Sequence, residues 1–223
     1  MVRNVVRGTL AGVVVFLVFV CVAASTTFYL REPVNPGFLD FPTIVALHVV
    51  LGGLYLVFAP FQFVKRIRSK HRLYHRWAGR VLVAIGLVTG MTALFMGLVI
   101  PASGWSERLV IGLFGTVFLV AIVKGFLHVR AGRVAPHREW MIRAFAIGLS
   151  IATQRLIFVP SILVLVNPTD ARIETLSVVA FAVAFIGHAC VAEAWIRLTR
   201  KRDIPAADAV PRAELAKTRV AGK

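Results

Sequence analysis

The stretch Tyr74-His75-Arg76-Trp77-Ala78-Gly79-Arg80, which opens a long apolar run, has a counterpart in Pro136-His137-Arg138-Glu139-Trp140-Met141-Ile142-Arg143. His75-Arg76 returns as His137-Arg138 after 62 residues, and at the same offset Ala84-Ile85-Gly86-Leu87 returns as Ala146-Ile147-Gly148-Leu149. Two apolar segments that begin with one basic imidazole motif, and carry one small-residue block at one distance behind it, indicate an internal duplication. Each motif also has a tryptophan (Trp77, Trp140) and a further arginine (Arg80, Arg143) close behind. Histidines at matched depth in a helical bundle suit a ligand held between two helices.

Hydrophobic residues make up 58% of the 223 and the mean hydropathy is +0.81, whereas soluble domains have an apolar share near ~45–50%. The bilayer is therefore the expected solvent. Apolar runs able to cross a hydrocarbon core of roughly 30 Å fall at about Gly8–Leu30, Phe41–Val64, Trp77–Ile100, Leu109–Val129, Trp140–Val166 and Ile173–Ile196. Six spans predict one all-α integral membrane domain over residues 1–200. Residues 201–223 have mixed charge and no apolar period, and read as a disordered basic cytoplasmic tail.

All but Arg31, Arg108, Arg155 and Arg172 of the 26 lysines and arginines lie at the N-terminus, in Lys65–Arg80, in Lys124–Arg143 or from Arg197 onward. The alternate connections hold Glu32, Asp40, Glu107, Asp170 and Glu174. This is the positive-inside pattern, and it places both termini in the cytoplasm, at a bacterial cytoplasmic membrane. Anionic membrane lipid, rather than nucleic acid, accounts for the formal charge of +16. Arg3, Arg7 and the later Val22-Ala23-Ala24-Ser25 have the layout of a signal peptide, but the apolar run continues to Leu30, so an uncleaved first span is expected. Cys21 and Cys190 lie within expected spans, as small apolar side chains rather than a disulfide framework.

The duplication relates the hairpin of spans two and three to that of spans four and five. Equal orientation of the two implies a pseudo-two-fold axis along the membrane normal. Spans two to five then form a four-helix core, with the first and sixth at its periphery. Gly86-xxx-Gly90 and Ala144-xxx-Gly148-xxx-Ala152 supply small-residue stripes for close helix packing.

His75 and His137 open helices whose positive N-terminal dipoles disfavour the adjacent Arg76 and Arg138, so something anionic is expected nearby. One candidate is lipid phosphate, with Trp77 and Trp140 as interfacial anchors. The other is a haem b whose iron is bound by the two imidazoles, with the arginines near its propionates; neighbouring positive charge favours the neutral, ligating imidazole. His128 ends the fourth span, where the helix dipole accommodates a histidine, and is a substitute ligand. His71 lies among Lys70 and Arg72 as a solvated residue. In the outer half, His48, Gln154 and Arg155 form a second candidate site for an anionic or quinone-like ligand, since an intramembrane arginine marks function by default. Pro160 frees the carbonyl of Leu156 beside it. His188 and Glu193 are about 140° apart around their helix and share no site. No phosphate-binding glycine loop, zinc-protease motif or nucleophile elbow is present, so nothing points to hydrolysis.

With His48 and the two motifs in order, the segment from about His48 to Arg155 resembles an uncharacterised family of predicted bacterial multi-pass membrane proteins. That likeness implies no established activity. His48, Pro60, the basic connection and His75 also resemble cytochrome b561-type electron-transfer proteins. This second likeness implies a four-helix core and His75 with His137 as one haem ligand pair, while the fourth span around 111–117 offers no histidine to pair with His48. The expected function is b-type haem electron transfer, with a quinone or redox partner near Arg155. Alternatives are a lipid- or anion-binding membrane protein or accessory subunit, and a small transporter using His48 and Arg155 without a buried acid in the outer half.

Overall fold

The computed structural model describes residues 8–9, 11–20, 23, 37–101, 104–165 and 169–200. Among these, the chain is helical. An apolar helix α1 covers Ala11–Val20. It is followed by α2 (Gly37–Asp40), α3 (Pro42–Phe58), a 3-10 segment (Ala59–Phe63), α4 (Lys65–Lys70), α5 (Arg72–Val99), α6 (Gly104–Arg130), α7 (Val134–Val164) and α8 (Asp170–Arg200). Among the described residues, five segments are long and apolar enough to cross a membrane: Pro42–Phe63, α5, α6, α7 and α8. Of the six expected spans, the first is described at 8–9, 11–20 and 23, and the tail 201–223 and Cys21 lie outside the described residues.

Local chemistry sets the boundaries. Pro42 opens α3, where its fixed φ suits a helix and its missing N–H costs nothing. Pro60 cannot donate back to Leu56, and there the α-helix gives way to the 3-10 turn. The link between α6 and α7 is tight because Gly132 adopts φ +73. Its N–H donates to the Val129 carbonyl at 3.1 Å, and Arg133 N–H reaches back to the His128 carbonyl at 2.8 Å. These two bonds form a Schellman closure, in which a residue with a Cβ would be strained at the left-handed position.

Small residues make the closest helix contacts, and large apolar side chains fill both the centre and the outer surface. Ala121, Ala144 and Ala152 are 0% exposed, whereas Val164 on the outer surface is 81% exposed and Val120, Val123 and Leu127 are exposed along α6. That pattern fits helices whose close approach relies on van der Waals contact rather than on expelling water. Helix α3 packs on α5, α5 on α6, α6 on α7 and α7 on α8, with further contacts of α6 with α8 and α3 with α7. Leu17 of α1 is buried in the same core cluster. Helices α5 and α6 interlock: a Cβ at Gly86 would lie 2.6 Å from Ile122 Cδ1, one at Gly90 would lie 2.5 Å from Leu119 Cδ2, and one at Gly115 would lie 2.6 Å from Leu94 Cδ2.

At the centre, the buried Tyr55 ring meets Phe118 edge-on, with centroids 5.7 Å apart and an interplanar angle of 81°. Gly86 and Gly148, equivalent positions of the two motifs, both face this ring; an added Cβ would lie 3.2 Å and 3.4 Å from it, respectively. Gly86→Val should therefore lower the thermal midpoint in detergent, as overpacking costs about 1–3 kcal/mol. Gly53→Val, where an added Cβ meets nothing within 4 Å, should change it little. Equal losses in the two variants would contradict this packing.

Candidate functional site

Polar groups gather in two layers, one on each side of Tyr55. At the basic end, α5 starts at Arg72 and α7 at Val134, so both His-Arg pairs sit in the first turns of their helices. His137 Nδ1 lies 2.8 Å from the carbonyl oxygen of Gly125 on α6. A carbonyl only accepts, so Nδ1 carries the proton and Nε2 keeps its lone pair. Met141 of α7 packs against Gly125, where a Cβ would meet its terminal methyl.

His75 differs. Its Nδ1 is buried without a hydrogen-bond partner, and so is Oε1 of Gln62. A Cβ on Gly79, one turn beyond His75, would lie 3.5 Å from that Gln62 oxygen, so both orphaned atoms border one face of α5. His75 and His137 lie within each other's electrostatic reach, as do His137 and His128. In both motifs an arginine stacks on the tryptophan three residues before it: Arg80 on Trp77 at 5.2 Å and Arg143 on Trp140 at 4.7 Å.

Part of the anionic compensation comes from the protein itself. Arg143 Nε and Nη2 hold both carboxylate oxygens of Glu193, and Arg200 holds Glu139 in the same two-pronged way. One pair runs from a cation on α7 to an anion on α8, and the other runs in the reverse sense. Together they fasten the basic ends of these two helices.

At the opposite end, His48 Nδ1 is 3.1 Å from the Thr89 carbonyl and 3.3 Å from Thr92 Oγ1. Thr92 Oγ1 donates to the Val88 carbonyl at 2.9 Å, so it accepts from His48, whose Nδ1 is again the protonated nitrogen. Arg155 Nη1 donates to Gln154 Oε1 at 2.9 Å and sits within electrostatic reach of His48. Gln154 is 1% exposed and its Nε2 has no partner; Thr89 Oγ1 is likewise buried and unpartnered. His188, on α8, bonds Thr153 Oγ1 across to α7 at 2.8 Å, while Glu193 faces Arg143. His71 is exposed at the end of α4, and Cys190 is exposed on α8.

Several participants escaped the sequence reading. Gln62, Thr89 and Thr92 are polar residues inside apolar runs, a signal available in the sequence. Glu107 was assigned to an outer connection, but it belongs to the first turn of α6 and is 7% exposed, so the half of the bundle away from the basic end does contain a buried acid. Apolar periodicity begins only at Leu109, which hid the earlier start. Among the described residues, no group of three or more His, Cys, Asp or Glu side chains could hold a metal ion.

Residues 45–196 match the family described as predicted membrane protein (DUF2306). The chain belongs to this family. The match extends past Arg155 through most of α8, so the final span is part of the family unit. No curated protein and no solved structure matches, and the likeness to cytochrome b561 is not supported.

In this family member the Thr92 hydroxyl orients His48, whereas the Thr89 hydroxyl orients nothing in the structure. Thr92→Val should lower stability in detergent by about 0.5–1 kcal/mol, and Thr89→Val, which keeps the shape and removes a buried unpaired hydroxyl, should leave it unchanged or raise it. Thermal melts of the two variants check this, and a larger loss in Thr89→Val would contradict the hydrogen bonding of His48.

Proposed function

We propose that this protein is a membrane electron carrier that holds one haem b between His75 and His137. In this reading it lies in a bacterial cytoplasmic membrane with its basic end in the cytoplasm, and α3–α5 and α6–α7 are two copies of one hairpin. The observation that carries the reading is the bond from His137 Nδ1–H to the Gly125 carbonyl. Metal-ligating histidines commonly donate their second ring nitrogen to a carbonyl or carboxylate, which fixes the ring and directs the other lone pair at the metal. His75 adds a buried ring nitrogen without a protein partner, as expected of an atom whose partner is a ligand. The donor set therefore fits a two-imidazole haem site, with His128 in reserve.

Bound haem b supplies one-electron transfer. The protein's own part is to hold the His137 tautomer through Gly125, to keep both imidazoles neutral among arginines, and to offer Arg76 and Arg138 to carboxylate substituents. In the opposite layer, His48 presents an accepting Nε2 near the Arg155 cation, a pairing suited to a quinone that alternates between carbonyl and hydroxyl. A second reading, small-solute transport, draws on the unpartnered Gln154 Nε2 and Thr89 Oγ1 and on the buried Glu107.

Visible spectra of the purified protein, oxidised and reduced, separate these readings. The expected result is a Soret band with a sharp reduced α band, lost in both His75→Ala and His137→Ala. Protein that stays colourless after expression with added haem precursor would overturn the redox reading.

A further inference from the structure

Beside the imidazole layer, at the α6–α7 junction, lies a cleft of about 380 Å³ lined by Lys124, Leu127, His128, Arg133 and Trp140. With His75 and His137 as the haem ligands, the redox reading touches this cleft only through His128, the reserve ligand. The Lys124 ammonium rests over the Trp140 ring at 4.8 Å, which holds the cation at the cleft wall. The Schellman closure at Gly132 sets Arg133 beside the end of α6, with its N–H on the His128 carbonyl. Two cations and an imidazole thus converge, and no carboxylate is among the lining residues.

The carboxylates nearby are engaged elsewhere: Glu139 with Arg200 and Glu193 with Arg143. Leu127, in the cleft wall, is 57% exposed, and Val123 and Val120 continue the exposed apolar stripe along α6. A phosphate in the cleft would therefore meet positive charge while a chain attached to it ran along an apolar helix face. A soluble anion has no use for that stripe.

We infer that the cleft formed by Lys124, His128, Arg133 and Trp140 binds the headgroup of an anionic phospholipid, with its acyl chains along Val120, Val123 and Leu127. The site is independent of whether haem is bound. Lys124 and Arg133 meet the phosphate, Trp140 packs at the glycerol level, and His128 offers a hydrogen bond.

Trp140 also reports occupancy. The probe is phosphatidylglycerol brominated near the glycerol end of its chains, with the matching phosphatidylcholine as control, in nanodiscs holding the full chain with Trp77→Phe, Trp105→Phe and Trp195→Phe. Brominated phosphatidylglycerol should quench Trp140 severalfold more strongly than phosphatidylcholine at equal mole fraction. Each basic residue near an anionic headgroup is worth about fivefold in affinity, so Lys124→Gln with Arg133→Gln should shift the half-quenching fraction roughly 25-fold. Lys70→Gln with Arg72→Gln, an equal charge change on the other basic connection, should shift it little. Equal quenching by the two lipids, or equal losses in the two double variants, would overturn the site as no more than diffuse surface attraction. Displacement of the brominated phosphatidylglycerol by inorganic phosphate would overturn the lipid assignment in favour of a soluble anion. The lipid comparison needs no cleft variant, so it stands even if a variant fails to fold.

Discussion

The bundle depends on the fit of one aromatic pair, Tyr55 and Phe118, between two glycines. Gly86 and Gly148 face opposite edges of the Tyr55 ring, and the ring of Phe118 closes the gap edge-on. A Cβ at Gly86 would press on Ile122 and the Tyr55 ring, whereas one at Gly148 would meet Tyr55 and Phe118 at ordinary contact distance, and the polar contacts near the ends depend on those helix positions. In a membrane the apolar effect does not press helices together, so tight contact at such points must supply the attraction. The glycine-to-large-residue interlock of α5 with α6 repeats that solution along most of their length.

The same constraint explains which polar residues are tolerated. Close backbones bring carbonyl oxygens within reach of side chains from the next helix, and the structure uses this twice. His137 reaches the Gly125 carbonyl and His48 reaches the Thr89 carbonyl. In each case the acceptor is a backbone oxygen in a helix, whose second lone pair is available beyond the helical hydrogen bond. Both imidazoles emerge in one tautomer, with Nε2 as the acceptor, fixed by packing rather than by a carboxylate.

Much of this was legible in the sequence, and the remainder was not, for identifiable reasons. Apolar length marked the five long helices, because spanning length follows directly from bilayer thickness. The repeated block marked Gly86 and Gly148 as equivalent, since a packing position leaves its imprint in residue size. The carbonyl partners of His48 and His137 were invisible, because a carbonyl acceptor has no residue type to read, whereas the Thr92 hydroxyl stood in the sequence as a polar residue inside an apolar run. Glu107 was misplaced because helix starts were taken from apolar periodicity, and α6 begins before it. Glu139 and Glu193 stood in plain view, but their pairing with Arg200 and Arg143 needs the rotation of α8 against α7, which composition does not encode.

The two polar layers are chemically separate. From His75 to Thr92 along α5, at 1.5 Å per residue, is about 25 Å, and from His137 to Arg155 along α7 is about 27 Å. The space between is occupied by Tyr55, Phe118, Ile122 and the buried alanines, a layer that holds no charged side chain among the buried residues. A ligand that touches His48 and Arg155 therefore does not touch His75 or His137. Any coupling between the layers must travel through helix position, and the joint most sensitive to position is the Tyr55 ring between its two glycines. Loss of an end-layer side chain acts on one ligand, whereas a larger residue at Gly86 acts on both layers at once.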